Sequence, residues 1–252
     1  MPEEIKFIKY ENKGAYHWTN YYGGLTKIDS FLRARYQMVI QLLEQNGMNK
    51  SAKLLEIGSG DGALSGLICS KFNCRITGVD PSEKGVNYAQ EIFDKYGFEG
   101  EFTVASGYSF KFNNDSFEFI VLADVLEHLQ YPDLMLKEIK RLLKPGGKVI
   151  ITTPIRTNEH PEDSMHVQEF FPEQLEALCH PFFSQPIQKV YSHPVVWYEL
   201  YTFGKKRNRS FWRLYCRILD KLFQKNPFLK TNESRNWKNF KQQALVLQKS
   251  EQ

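Results

Sequence analysis

Cysteine is scarce in this chain: four residues in 252, at positions 69, 74, 179 and 216, and none in a CxxC spacing. That excludes a disulfide scaffold and a thiolate zinc cluster. No apolar run approaches the roughly 18 residues that cross a bilayer, and no signal peptide is read at the start. A reduced, cytoplasmic protein is the expectation, with Cys69 and Cys179 in the core. A strong excess of one charge is also lacking, since 33 Lys and Arg stand against 29 Asp and Glu, for a net charge of +4. Proteins with a stable nucleic-acid partner carry a larger, clustered basic surplus. Here much of the surplus lies between Lys205 and Lys241. What the chain does have is 42% hydrophobic and 14% aromatic residues, enough for the core of one α/β domain with additions and for an aromatic pocket.

The densest information sits in LLEIGSGDG, Leu54 to Gly62. Leu54, Leu55 and Ile57 read as a short buried parallel strand. Gly58, Ser59, Gly60 and Gly62 form a turn that lets a ligand approach the backbone, and the helix after it presents free N–H groups. The spacing GxGxG differs from the pyrophosphate fingerprint GxGxxG. Glu56 repels a dianion and suits an ammonium group instead. A second strand, RITGV, ends at Asp80 with Pro81 and Ser82 behind it. An acid there, about 20 residues past the glycine turn, suits a ribose diol. FEFIVLADVLEHL (117–129) reads as a buried strand entering a helical turn. LLKPGGKVIITTP (142–154) reads as a helix end, a Pro-Gly-Gly turn and another buried strand.

In this order and spacing, EIGSGDG, GVDPS, LADVLEHL and LLKPGGKVIITTP resemble the class I S-adenosylmethionine-dependent methyltransferases over roughly residues 50 to 180. The resemblance implies a Rossmann-like fold, a doubly wound seven-stranded and mostly parallel α/β sheet whose last strand is antiparallel. It implies a glycine turn that cradles the methionine part of S-adenosyl-L-methionine, Glu56 near the amino group, Asp80 and Pro81 at the ribose, and Ala123 and Asp124 beside the cofactor. Where many family members place an acid for the adenine amine, this chain has Ser106 and Gly107.

Candidates for the chemistry cluster after the fourth strand. Asp124, Glu127 and His128 stand at i, i+3 and i+4, one face of a helical turn at the carboxyl edge of the sheet. His166 follows in HVQEFFPEQL, a stretch that resembles acceptor-pocket segments of the family. His128 and His166 are candidates for a base or a substrate-positioning residue, needed when a hydroxyl attacks. With Asp124 and Glu127 they also form a set that suits a divalent metal such as Mn²⁺, Fe²⁺ or Zn²⁺. A similar grouping occurs in small-RNA 3′-terminal 2′-O-methyltransferases and partly in quinone O-methyltransferases, with Glu where this chain has Asp124. The opposite reading of the cluster is a metal-free turn that orders the site. His160 and His193 each precede a proline and read as solvated loop residues. Tyr16, His17 and Trp18 belong to an aromatic segment that covers the site by resemblance, with Tyr16 or His17 rather than Trp18 on the ligand.

Along the chain, residues 1–50 read as an aromatic and helical cap, with an amphipathic helix near 28–46. Residues 51–193 read as the Rossmann-like core and 194–240 as a basic, amphipathic helical insertion. Residues 241–252 read as the final strand, with Ala244–Gln248 preferred over Trp197–Phe203 for that role. In the insertion, Phe211, Trp212, Tyr215, Ile218, Leu219, Leu222 and Phe223 recur at helical spacing. They suit packing on the core or on a second copy in a homodimer, with the basic face solvated. The sharper alternative is contact with phosphate groups or an anionic membrane. The expected activity is O-methylation of a small acceptor, such as a sugar, a nucleotide-linked sugar or a secondary metabolite. The alternatives are N-methylation of a phospho-amine and metal-dependent 2′-O-methylation of an RNA 3′ end.

Overall fold

The structure, a computed structural model, describes residues 9–158, 161, 163–203, 209–233 and 236–251. Seven strands form one sheet: β1 (Leu54–Ile57), β2 (Ile76–Asp80), β3 (Gly100–Val104), β4 (Phe117–Ala123), β5 (Leu143–Pro154), β6 (Gln188–Pro194) and β7 (Phe240–Gln248). Their order is β3-β2-β1-β4-β5-β7-β6. Only β7 runs antiparallel to its neighbours, inserted between β5 and β6. The expected seven-stranded, mostly parallel α/β sheet is therefore present. Strand order reverses at β1, which pairs with β2 on one side and β4 on the other. At such a switch point the loops diverge and leave a crevice at the carboxyl edge.

Helices cover both faces, which is why the central strands are apolar throughout and not alternating. α3 (Ser30–Gln45), α4 (Ala63–Phe72) and α5 (Glu83–Tyr96) pack on one face through Met38, Leu43, Leu64, Ile68 and Phe93. α6 (Pro132–Leu142) and α7 (Pro172–Cys179) pack on the other through Leu136, Ile139 and Leu175. Local signals set the helix ends. Asp29 caps α3 by accepting from the Phe31 and Leu32 amides at 2.9 and 3.2 Å, and Gly47 leaves it at a φ of 89°. Two short helices, α1 (Lys9–Lys13) and α2 (Tyr16–Tyr22), precede α3. All four cysteines are buried thiols.

Trp197–Phe203 is not a strand: it lies in and just beyond α8 (Val195–Thr202), and the closing strand is β7. The insertion continues with α9 (Arg209–Lys221), where the packing departs in part from the expectation. Cys216 and Asp220 face inward, whereas Phe211, Leu222 and Phe223 are 60, 65 and 62% exposed. The cause is an ion pair. Asp220 accepts from Arg33 of α3 at 2.7 Å, and Arg33 also donates to the Tyr21 carbonyl at 2.6 Å. Arg217 donates to the Thr26 carbonyl at 2.9 Å. Asp220 and Arg217 of α9 thus dock on the N-terminal helices, while Arg209 and Lys221 of the basic face stay exposed.

His193 also departs from its expected place as a solvated loop residue. It is fully buried in β6 with a φ of 62°. Its Nε2 donates to the Phe31 carbonyl at 2.9 Å, and the Ser192 hydroxyl donates to Nδ1 at 2.8 Å. The ring bridges sheet and α3 as a neutral imidazole. Burial pulls its pKa down from 6.5 to about 3. A depressed imidazole stabilises the fold fully above its unfolded pKa and loses that contribution as pH falls through the folded one. Nitrogen-resolved NMR at pH 5 is therefore expected to show a neutral His193 ring; an imidazolium titrating near 6.5 would contradict the burial. His160 lies outside the described residues.

Candidate active site

The loops after β1, β2, β4 and β5 open into one cavity of about 1320 Å³, roofed by α2 and α3. Two ends can be distinguished by charge. At the first, Gly58 and Ser59 line the wall with Glu56, Asp80 and Pro81. Gly58 has a φ of 80°, and a Cβ there would collide with Val125. A Cβ on Gly60 would collide with the Tyr10 hydroxyl, so both positions require glycine. Gly60 thus lies beneath the N-terminal cap, and Gly62 sits against Ala89 of α5 at the start of α4; neither is among the residues of the cavity wall.

Three carboxylates surround this turn. Asp80 accepts from the Gly60 and Ser82 amides, both at 2.8 Å. Glu56 accepts from the Ser65 hydroxyl of α4. Asp61 accepts from the His17 and Trp18 amides at 2.8 and 3.1 Å, which ties the first turn of α2 to the glycine turn. Burial pushes Glu56 up from 4.5 to about 8, with Asp80 and Asp61 adding repulsion. Burial likewise lifts Asp61 to about 6. This end of the cavity therefore favours a cationic ligand. The Ser59 hydroxyl is buried with no hydrogen-bond partner among the described residues. A buried orphan of this kind is costly unless a ligand satisfies it.

The sign of the Glu56 shift yields a prediction. A carboxyl whose pKa rises on folding contributes its stability fully below pH 4.5, and that contribution is lost as pH rises through about 8. Glu56→Gln cannot ionise, so its stability relative to the parent is expected to improve steadily from pH 5 to pH 8. Urea denaturation at both pH values measures it, and a difference that does not change with pH would refute the assignment.

At the opposite end, the structure brings His128, His166 and Glu127 together, with the two rings 4.9 Å apart between centroids. Glu127 is fully buried; Thr153 donates to its Oε2 at 3.1 Å, and burial raises its pKa to about 7. The Glu127 carbonyl accepts from the Val167 and Gln168 amides at 2.9 and 3.2 Å, which locks the loop after β4 to the loop after β5. Glu169, absent from the sequence reading, accepts from His166 Nδ1 at 2.7 Å.

Asp124 is placed differently. The chain turns at a φ of 53° there, and Leu126–His128 form a single 3-10 turn, so Asp124 does not share one helical face with Glu127 and His128. Its carboxylate pairs with Arg35 of α3 and accepts from the Thr152 hydroxyl at 2.9 Å. Arg35 carried no signal in the sequence beyond a polar position on an amphipathic helix. Tyr16 and His17 line the cavity from α2, whereas Trp18 stacks on Tyr22 with centroids 4.0 Å apart. Ser106, Gly107 and Ala123 also line the wall.

Comparison with known proteins agrees with this fold. A methyltransferase-domain family model matches residues 55–151. A sterol 24-C-methyltransferase of Clavispora lusitaniae is 24% identical over 160 residues, 63% of this chain and 42% of that protein. A ubiquinone biosynthesis O-methyltransferase of Pelagibacter ubique is 32% identical over 108 residues, 43% of this chain and 44% of that protein. The chain thus spans less than half the length of these relatives. Among solved structures, a phosphoethanolamine N-methyltransferase 2 of Haemonchus contortus, in complex with S-adenosylhomocysteine, superimposes with a TM-score of 0.64. It is 19% identical, and the match covers 96% of this chain and 58% of that one. The named acceptors are a sterol carbon, an oxygen and a nitrogen, so likeness alone does not choose among them.

Proposed function

We propose that the chain is a class I S-adenosylmethionine-dependent methyltransferase that moves the methyl group of S-adenosyl-L-methionine to a hydroxyl of a small molecule, a reading supported by the methyltransferase-domain match over residues 55–151 and by the fold. The observation that carries this reading is the division of one cavity between buried carboxylates at the glycine turn and an imidazole pair at the opposite loops. The first end fits a ligand with an ammonium and a sulfonium: Glu56 would hold the amine, the Ser59 hydroxyl would gain a partner, and Asp80 would hold the ribose hydroxyls. Ser106 and Gly107 border the adenine. The cofactor supplies a methyl group already activated on sulfur.

The protein's own task is then placement. As the acceptor oxygen bonds to the methyl carbon, the carbon–sulfur pair would stay on sulfur and the hydroxyl proton would pass to water at the cavity mouth. Glu127, His128 and His166 hold that hydroxyl and assist the loss of its proton. Tyr16 and His17 exclude water above it, on a helical turn that Asp61 ties to the glycine turn through the His17 and Trp18 amides. Asp124 sets the floor between the two ends by holding Arg35. A sugar, a nucleotide-linked sugar or a secondary metabolite has hydroxyls of the right kind and fits a cavity of this size.

N-methylation of a phospho-amine is the second reading, favoured by Arg35 and Lys241 in the cavity wall, two cations suited to a phosphate. It would not need help with a hydroxyl proton. Incubation with methyl-labelled S-adenosylmethionine and parallel panels of hydroxyl and phospho-amine acceptors separates the two. Label in a phospho-amine alone would overturn the hydroxyl reading, and label in an RNA 3′ end would move it to the third class. A homodimer through the insertion would leave the exposed face of α9 covered, which light scattering can measure.

A further inference from the structure

The imidazole pair and its carboxylate have a feature that placing a hydroxyl does not require. Each of Glu127, His128 and His166 offers one ligand atom, and these three atoms lie within 4.8 Å of one another. His128 Nδ1 bonds the Met165 carbonyl at 2.9 Å, and His166 Nδ1 bonds a Glu169 carboxylate oxygen at 2.7 Å. A carbonyl and a carboxylate only accept. Both rings therefore carry their proton on Nδ1 in the neutral form, which leaves the lone pair on Nε2, one of the two nitrogens through which a histidine holds a metal. An outer carboxylate or carbonyl on the far nitrogen is the usual support of a ligating histidine.

A second observation comes from Glu127. Its side chain is fully buried, Thr153 holds one oxygen, and the other, Oε1, has no hydrogen-bond partner among the described residues. A buried carboxylate oxygen left in this way needs a cation or a donor. The backbone lock between Glu127 and residues 167 and 168 fixes the two loops that supply the ligands. All three side chains line the cavity wall.

We infer that Glu127, His128 and His166 form a binding site for a divalent transition metal, held by two imidazoles and one carboxylate and open toward the cavity. Such a set, with no thiolate, suits Fe²⁺, Mn²⁺ or Zn²⁺. The ligand set differs from the one the sequence suggested: Asp124 is spent on Arg35 and Thr152, and Glu169 enters as the support of His166. The inference deepens the proposed reaction and rests on it only for the role of the ion, which would bind the acceptor hydroxyl and lower its pKa. The hydroxyl proton would then pass to water at the cavity mouth, and the imidazoles would remain ligands.

Metal binding itself needs no acceptor and no methyl transfer. The full chain, stripped with chelator and dialysed, is titrated with Zn²⁺ alone and with Mn²⁺ alone in a calorimeter. One ion per chain is expected for at least one of the two metals. His166→Ala and the isosteric Glu127→Gln are expected to weaken binding by more than tenfold, and Glu169→Gln by about 10- to 100-fold. Asp124→Asn is expected to retain it. Melting temperatures confirm that each variant is folded. The absence of stoichiometric binding of either metal to the folded parent chain would overturn the site, as would loss of binding in Asp124→Asn with retention in Glu127→Gln. S-adenosylmethionine titrated into the same metal-free sample separates the two failures: cofactor binding with no metal binding refutes this site and leaves the proposed transfer standing.

Discussion

Asp80→Ala is expected to weaken S-adenosylmethionine binding by roughly 10- to 100-fold and to lower the melting temperature at the same time. The first effect follows from losing a charge-assisted hydrogen bond to the ribose diol, about 1.5 to 3 kcal/mol. The second follows from the structure, where the two carboxylate oxygens hold the Gly60 and Ser82 amides. Without them the glycine turn and the start of α5 lose their acceptor, and buried N–H groups are left unpaired. Asp80→Asn keeps one acceptor oxygen and removes the charge, so it is expected to retain more stability than the alanine variant while still binding weakly. Calorimetry with thermal denaturation reads both quantities. Unchanged cofactor affinity in Asp80→Ala would remove this residue from the site.

His128→Ala is expected to reduce turnover by about 10²- to 10⁴-fold, the range for a group that assists proton removal or holds the reacting hydroxyl. Cofactor affinity is expected to change by less than about threefold, because His128 lies at the acceptor end of the cavity and the glycine turn at the other. Single-turnover rates with the acceptor returned by the labelling panel, beside cofactor calorimetry, separate the two. Equal losses in rate and affinity would make His128 a support of the cofactor site. His166→Ala is expected to follow the same pattern, and Trp18→Phe neither, since Trp18 stacks on Tyr22 and meets Tyr96 at a tilt, away from the cavity.

The fold was legible because its signals are local. A buried apolar strand followed by a turn that only glycine can take, then an acid at the next strand end, places β1, β2 and the switch point within a few residues. The final strand was legible from the run Ala244 to Gln248, which the structure extends back to Phe240. Illegible features depend on contacts distant in sequence. Arg35 meets Asp124 across 89 positions, and His193 meets Phe31 across 162. Periodicity says that α9 has two faces, but not which one turns inward; the Arg33 and Asp220 pair decides that. That His128 and His166 lie on neighbouring sheet-edge loops was legible, and the structure brings their rings within 4.9 Å of one another. The positive φ of Asp124 was not, and it turns that carboxylate from the histidines toward Arg35.

The central claim is that the carboxylate-lined end of the cavity binds S-adenosylmethionine. Titration of the full chain with that molecule at pH 7, in two buffers with different heats of ionisation, tests it most directly. One site per chain is expected, with a heat that differs between the buffers. Glu56, with its pKa near 8 in the free protein, gives up its proton as the ammonium arrives. Absence of binding would contradict the account. Binding with no proton release would contradict the assignment of Glu56 to the amine.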